Sequence, residues 1–152
     1  MERRNRKRLY LDICTLCRPF DDQSQMRIRL ETTAYYLIIQ ALQAARYTMV
    51  VSPVHFEEAN TINDVEERRD VVVVLERLGT AADCDVAAAR ARAENLHFRQ
   101  FGIADAAHVA FAEAAADFFI SCDDRLVKKC KREKLRVPTV NPVEFTIAED
   151  LK

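Results

Sequence analysis

Short runs rich in β-branched and aromatic residues, at 8–13 (RLYLDI), 47–51 (YTMVV), 118–121 (FFIS) and 135–140 (LRVPTV), alternate with longer segments whose apolar residues recur every three or four positions. Strands interleaved with helices need crossover connections, and crossovers lay the strands parallel with helices over both faces. The clearest helical period lies at 24–45, where Met26, Leu30, Ala34, Leu37, Ile38, Ala41, Leu42 and Ala45 form one stripe. Ser52 followed by Pro53 marks a helix start after the second strand, with Glu57 and Glu58 near that short helix's end. Asn63 or Asp64 caps the next helix, with Glu66 and Glu67 as capping-box partners and Gly79 at its close. A short strand within 81–85, an alanine-rich helix to about His97, and helices near 104–115 and 124–131 complete the pattern, while 14–22 reads as irregular.

The expected architecture is a three-layer α/β/α sandwich with a central, mainly parallel sheet of four or five strands. It forms one domain over residues 1–152, with a basic tail at 1–7 and a C-terminal tail at 146–152. A chain of 152 residues suits one core, and two glycines and four prolines are too few for a meander of hairpins.

Net charge is -1, so affinity for a polyanion must come from local patches. Two exist: Arg3, Arg4, Arg6, Lys7 and Arg8 before the first strand, and Lys128, Lys129, Lys131, Arg132, Lys134 and Arg136 near the end. Each is either a solvated surface or a phosphate-contacting one, and Lys128 and Lys129 are the candidate nucleic-acid contacts. The apolar segment after the basic N-terminus is short and broken by Asp12, so neither a membrane span nor a signal peptide fits, and a cytoplasmic location is expected. Five cysteines, an odd number in apolar or helical settings, read as reduced thiols without a structural disulfide.

In a parallel sheet, function gathers where strand C-terminal ends meet helix N-termini. Asp12 ends the first strand, Asp123 follows FFIS, Asp105 opens the helix DAAHVAFAEAAA, and Glu58 can reach the same edge. Singly, Asp105 and Asp123 are explained as N-caps and Glu58 as a surface residue. Asp12 is different, because a carboxylate at a buried strand end is unfavourable unless paired or bound to a cation, and no lysine or arginine is an obvious local partner. Convergent carboxylates repel one another, and a divalent ion relieves the repulsion. Oxygen-only ligation with retained waters is what magnesium and manganese prefer.

Four motifs in order, Leu-Tyr-Leu-Asp12, Val-Ser-Pro-Val-His-Phe-Glu-Glu58, Gly-Ile-Ala-Asp105-Ala-Ala-His-Val-Ala and Ala-Asp117-Phe-Phe-Ile-Ser-Cys-Asp123-Asp124-Arg-Leu, resemble those of PIN domains through nearly the whole chain. The stretch from Arg18 (RPFDDQSQ) resembles one subgroup of short prokaryotic PIN proteins in particular. The resemblance implies a small α/β/α nuclease that uses one or two Mg2+ or Mn2+ ions to hydrolyse RNA, with Asp12, Glu58, Asp105 and Asp123 as metal-directed, catalytic acids. Ser121 matches the family's hydroxyl two residues before the fourth acid and is implied to orient a ligand or a water. Asp124 and Thr15 are supporting positions, Thr15 standing in for a displaced family threonine, and Ala116 replaces a common glycine. Glu57 competes with Glu58, and Asp124 with Asp123, for the ligand position. His108 matches a common family position and is read as a packed core histidine ahead of a proton carrier; His55 and His97 carry no signal. Many members are toxins of toxin-antitoxin pairs, so an RNA substrate, a cognate antitoxin and a homodimer are implied partners.

Two other readings remain open. Cys14-Thr-Leu-Cys17 after a strand, with Val137-Pro138-Thr139, also fits a thiol-disulfide oxidoreductase. A PIN-like scaffold that binds RNA or a protein without cutting it is the other.

Overall fold

The computed structural model describes residues 5–152, so Arg3 and Arg4 of the expected basic tail lie outside the described residues. Five strands, β1 (Arg8–Leu11), β2 (Thr48–Val51), β3 (Gly79–Ala81), β4 (Phe118–Ile120) and β5 (Thr139–Val140), form one sheet in the order β3-β2-β1-β4-β5, and every neighbouring pair is parallel. Alternate residues serve opposite faces. Leu9, Leu11, Met49, Val51 and Ile120 pack into one core, and Tyr10, Val50 and Phe119 into the other.

The order explains which helices cover which face. From β1 the chain steps outward through α1 (Ile13–Cys17), a 3-10 turn (Arg18–Phe20) and α2 (Met26–Gln43) to β2, then through α3 (Pro53–Ala59) and α4 (Val65–Leu78) to β3. It then returns across the sheet through α5 (Val86–Phe98) and α6 (Ile103–Ala115) to β4, and through α7 (Asp124–Arg132) to β5. Crossovers keep one hand, so reversing direction moves the helices to the opposite face. Accordingly α2 and α4 supply the first core (Tyr35, Ile38, Leu42, Val71, Leu75), and α5 to α7 supply the second (Leu96, Val109, Ala112, Leu126, Cys130). The expected α/β/α sandwich is therefore present, with five strands. The order reverses between β1 and β4, and in open α/β sheets the C-terminal ends of the strands flanking such a reversal are where a ligand crevice is expected.

Local departures have identifiable causes. The expected β1 stops at Leu11 because Asp12 caps α1, a helix where irregular chain was expected. Only the later part of the α2 stripe is buried: Ala34, Ile38 and Ala41 are, whereas Met26 and Leu30 project into solvent. The third strand starts at Gly79 and not within 81–85. Gly79 closes α4 at φ -76°, and the residue must be small because a Cβ there would collide with the Leu75 carbonyl and the Val51 side chain. The expected tail at 146–152 is a correction: α8 (Pro142–Ala148) is capped by Asn141, and Phe145, Thr146 and Leu151 are buried. Lys7 of the basic tail ties back to Glu149 at 2.9 Å. None of the helices in the described residues is long and apolar enough to cross a membrane.

Candidate active site

Asp12 is placed by β1 and held by neutral donors. Its Oδ1 accepts from the Ile13 N–H at 2.8 Å, and its Oδ2 accepts from Ser121 Oγ at 2.9 Å and Cys14 Sγ at 3.3 Å. With 5 % of its surface exposed and no lysine or arginine paired with it among the described residues, its carboxyl is raised above the ordinary range, chiefly by burial. Ser121, at the end of β4, also accepts from the Asp123 N–H at 3.1 Å. One hydroxyl thus links the turns that carry Asp12 and Asp123.

Asp123 caps α7, its Oδ1 accepting from the Arg125 and Leu126 N–H groups. Asp105 is not a cap: Gly102 holds that position, and Asp105 sits in the first turn of α6 with no hydrogen-bond partner among the described residues. Its carboxyl is pushed up to about 6, first by burial, then by the negative charges of Asp12 and Asp123, and further by Glu58. The other three expected acids therefore lie within electrostatic reach of Asp105. In their present rotamers no three carboxylate, imidazole or thiol side chains among the described residues come together closely enough to enclose a metal ion.

Glu58 owes its position to a buried polar chain. His108, fully buried on α6, contacts Glu58 Oε1 through Nε2 at 2.8 Å and the Tyr10 hydroxyl through Nδ1 at 2.5 Å, and that hydroxyl contacts Ser52 Oγ at 2.7 Å. With a neutral imidazole, Nε2–H donates to the carboxylate and Nδ1 accepts from Tyr10. His55 stacks on Tyr10 with centroids 4.4 Å apart. Its Nδ1 accepts from the Ser52 N–H at 3.0 Å, so its Nε2–H donates to the Leu11 carbonyl at 2.7 Å. Burial, then the neighbouring His108, lowers it to about 3, so it stays neutral. Glu57, by contrast, faces solvent, which leaves Glu58 as the member of the pair aimed inward.

Three expected site residues point elsewhere. Thr15 is fully buried and its Oγ1 donates to the Ile120 carbonyl at 3.3 Å, stitching α1 to β4. Asp124 forms a fork with the Arg27 guanidinium, which holds its carboxyl below the ordinary range. Lys129 donates to the Gln100 carbonyl and lies over the Phe101 ring at 4.5 Å, while Lys128 remains exposed. All five cysteines are free thiols. Burial and the charge of Glu67 push Cys17 up to about 12, and Cys14 is likewise raised, the reverse of what an attacking thiolate needs. The sequence alone gives Tyr10 no role, marks Ser52 only as a helix start and sets His55 aside. Their only local signals are a phenol two residues before a buried acid and a histidine three residues after Ser52.

No family model matches the chain, and no curated protein sequence matches it. Among solved structures it is similar to VapBC2 from Rickettsia felis bound to a DNA fragment from their promoter, at 14 % identity and a TM-score of 0.55, over 88 % of this chain and 98 % of that one. At that identity the likeness bears on the fold, and it agrees with a PIN-like α/β sandwich.

Proposed function

We propose that the chain is a divalent-metal-dependent endoribonuclease acting as the toxin of a toxin-antitoxin pair. What supports this reading is that burial and the charges of Asp12, Asp123 and Glu58 raise the Asp105 carboxyl to about 6, while none of these four acids is paired with a lysine or arginine among the described residues. Carboxylates in that state favour a cation. The donor set is oxygen only, and magnesium commonly keeps several waters and takes one or two carboxylates directly, so three coordinating side chains are not required. Asp12, Asp105 and Asp123 would hold the ion and Glu58 its waters. A bound ion would acidify a water and stabilise the charge that develops on the leaving oxygen.

The chain's own residues divide the remaining work. Ser121 fixes the Oδ2 atom of Asp12 and the backbone of Asp123 together, so neither acid turns away. The Tyr10 and His108 chain holds Glu58 Oε1, leaving its second oxygen free to accept a proton from a water. The antitoxin proposal is supported by the fold likeness to VapBC2, a toxin-antitoxin complex.

A second reading, a module that binds RNA or a protein without cutting, is favoured by the fact that, as they stand, no three such side chains among the described residues enclose a metal ion. The two separate in one assay. RNA incubated with Mg2+ or Mn2+ should be cleaved, with loss of cleavage in EDTA and in Asp12→Asn and Asp105→Asn. Undiminished cleavage in both variants, or none by the parent chain with either metal, removes the nuclease proposal.

A further inference from the structure

The loop between α5 and α6 stands on the same rim as Asp105, because α6 begins at the C-terminal edge of the sheet and α5 ends beside it. Phe98, the last residue of α5, is 88 % exposed, while Leu96 and Phe101 on either side of it are buried. The loop is held: the Phe101 N–H donates to the Leu96 carbonyl at 3.1 Å, His97 Nδ1 contacts the Phe101 carbonyl at 2.8 Å, and Lys129 of α7 reaches Gln100 and Phe101. An ordered loop thus presents an aromatic ring to solvent. Beside it, Arg125, Lys128 and Arg132 are all exposed, and none forms an ion pair among the described residues. Spaced by three and four, they lie on one side of α7, opposite the buried Leu126, Val127 and Cys130. The stripe begins two residues after Asp123, and the Arg99 to Glu133 pair at 2.8 Å joins the loop to the helix along its edge.

We propose that unpaired RNA crosses this rim, stacking one base on the Phe98 ring and setting its phosphates on Arg125, Lys128 and Arg132. The choice of RNA as the nucleic acid rests on the proposed function; the choice of an unpaired strand rests on the ring. In a duplex each base face is covered by its neighbours, so an isolated exposed aromatic engages only a splayed base, and every base offers a π face. The cations supply attraction without sequence preference. Lys129 is excluded because its ammonium is already committed to the loop.

The test is binding without cleavage: fluorescence anisotropy of a labelled, unstructured 12-nucleotide RNA in EDTA, alone and annealed to its complement, with the full chain. Phe98→Ala should weaken the single strand by roughly tenfold and leave the duplex nearly unchanged, while Phe98→Trp retains affinity. Replacing Arg125, Lys128 and Arg132 together by glutamine should flatten the dependence of log affinity on log salt by about 2, at roughly 0.7 per phosphate on a single strand. No single-strand binding by the parent chain, an unchanged affinity in Phe98→Ala, or an equal loss on duplex overturns the proposal. So does a change in sedimentation of the protein alone on Phe98→Ala, which would make this face a contact between copies. Binding that follows the proposal without any cleavage would leave the track standing and remove only the nuclease reading.

Discussion

Replacing Asp105 by asparagine should stabilise the metal-free protein at alkaline pH, although it removes the residue argued to bind the metal. A carboxyl at about 6 in the folded chain against 3.8 in the unfolded one corresponds to ~3 kcal/mol at 1.36 kcal/mol per pH unit. The group is only partly buried, so solvent screening reduces this to about 1–2 kcal/mol. Against it stands the favourable interaction of a first-turn acid with the α6 N-terminus, about 0.3–1 kcal/mol. The net gain in Asp105→Asn is about 1 kcal/mol at pH 8. Folding raises this carboxyl, so the native state binds its proton more tightly. Its contribution to stability is therefore full below the ordinary value of 3.8 and is lost as pH rises through about 6. The advantage of the asparagine variant should accordingly disappear near pH 4. Urea unfolding in EDTA at pH 8 and pH 4, run on both proteins, measures the difference. Adding Mg2+ at pH 8 should stabilise the parent and not the variant. A variant less stable than the parent in EDTA at pH 8, or a gap that does not change with pH, would refute the argument that mutual repulsion strains this crevice.

Two further substitutions separate positioning from structure and from thiol chemistry. Tyr10→Phe leaves His108 Nδ1 and Ser52 Oγ without their shared partner, so urea unfolding should show a loss of about 1–3 kcal/mol. In the folded protein cleavage should fall in kcat with KM little changed, since Glu58 loses its fixed orientation and the RNA track does not. Cys17→Ser should leave cleavage within about twofold, because a thiol raised to about 12 is not poised to react at neutral pH; a large loss that depends on reductant would instead support the oxidoreductase reading.

Much of this fold was legible from periodicity. The four β-branched runs and the α2 period lead to a parallel sheet, and its edge logic points to Asp12, Asp105 and Asp123 as residues of one rim. What escaped depends on contacts between distant segments. Glu58 is distinguished from Glu57 only by His108, 50 residues away, and His108 is held by Tyr10, 98 residues away. Local spacing records neither. Thr15 and Asp124 sit beside the site in sequence but turn away because a β4 carbonyl and the Arg27 fork claim them. Helix α1 was hidden because its cap, Asp12, also reads as a strand end. The C-terminal helix had a signal in Asn141-Pro142 with Glu144 three residues after the cap, and the short remaining length drew the reading toward a tail.

The central claim is that the four acids share a divalent cation. Titration of Mn2+ followed by the electron paramagnetic resonance of the free ion tests it most directly, in the parent chain and in Asp12→Asn and Asp105→Asn. The parent should remove one or two equivalents of ion from solution at pH 7.5, and each single substitution should abolish or sharply weaken that uptake while leaving the circular dichroism unchanged. Equal uptake by all three proteins, or none by the parent at millimolar Mn2+, would contradict it.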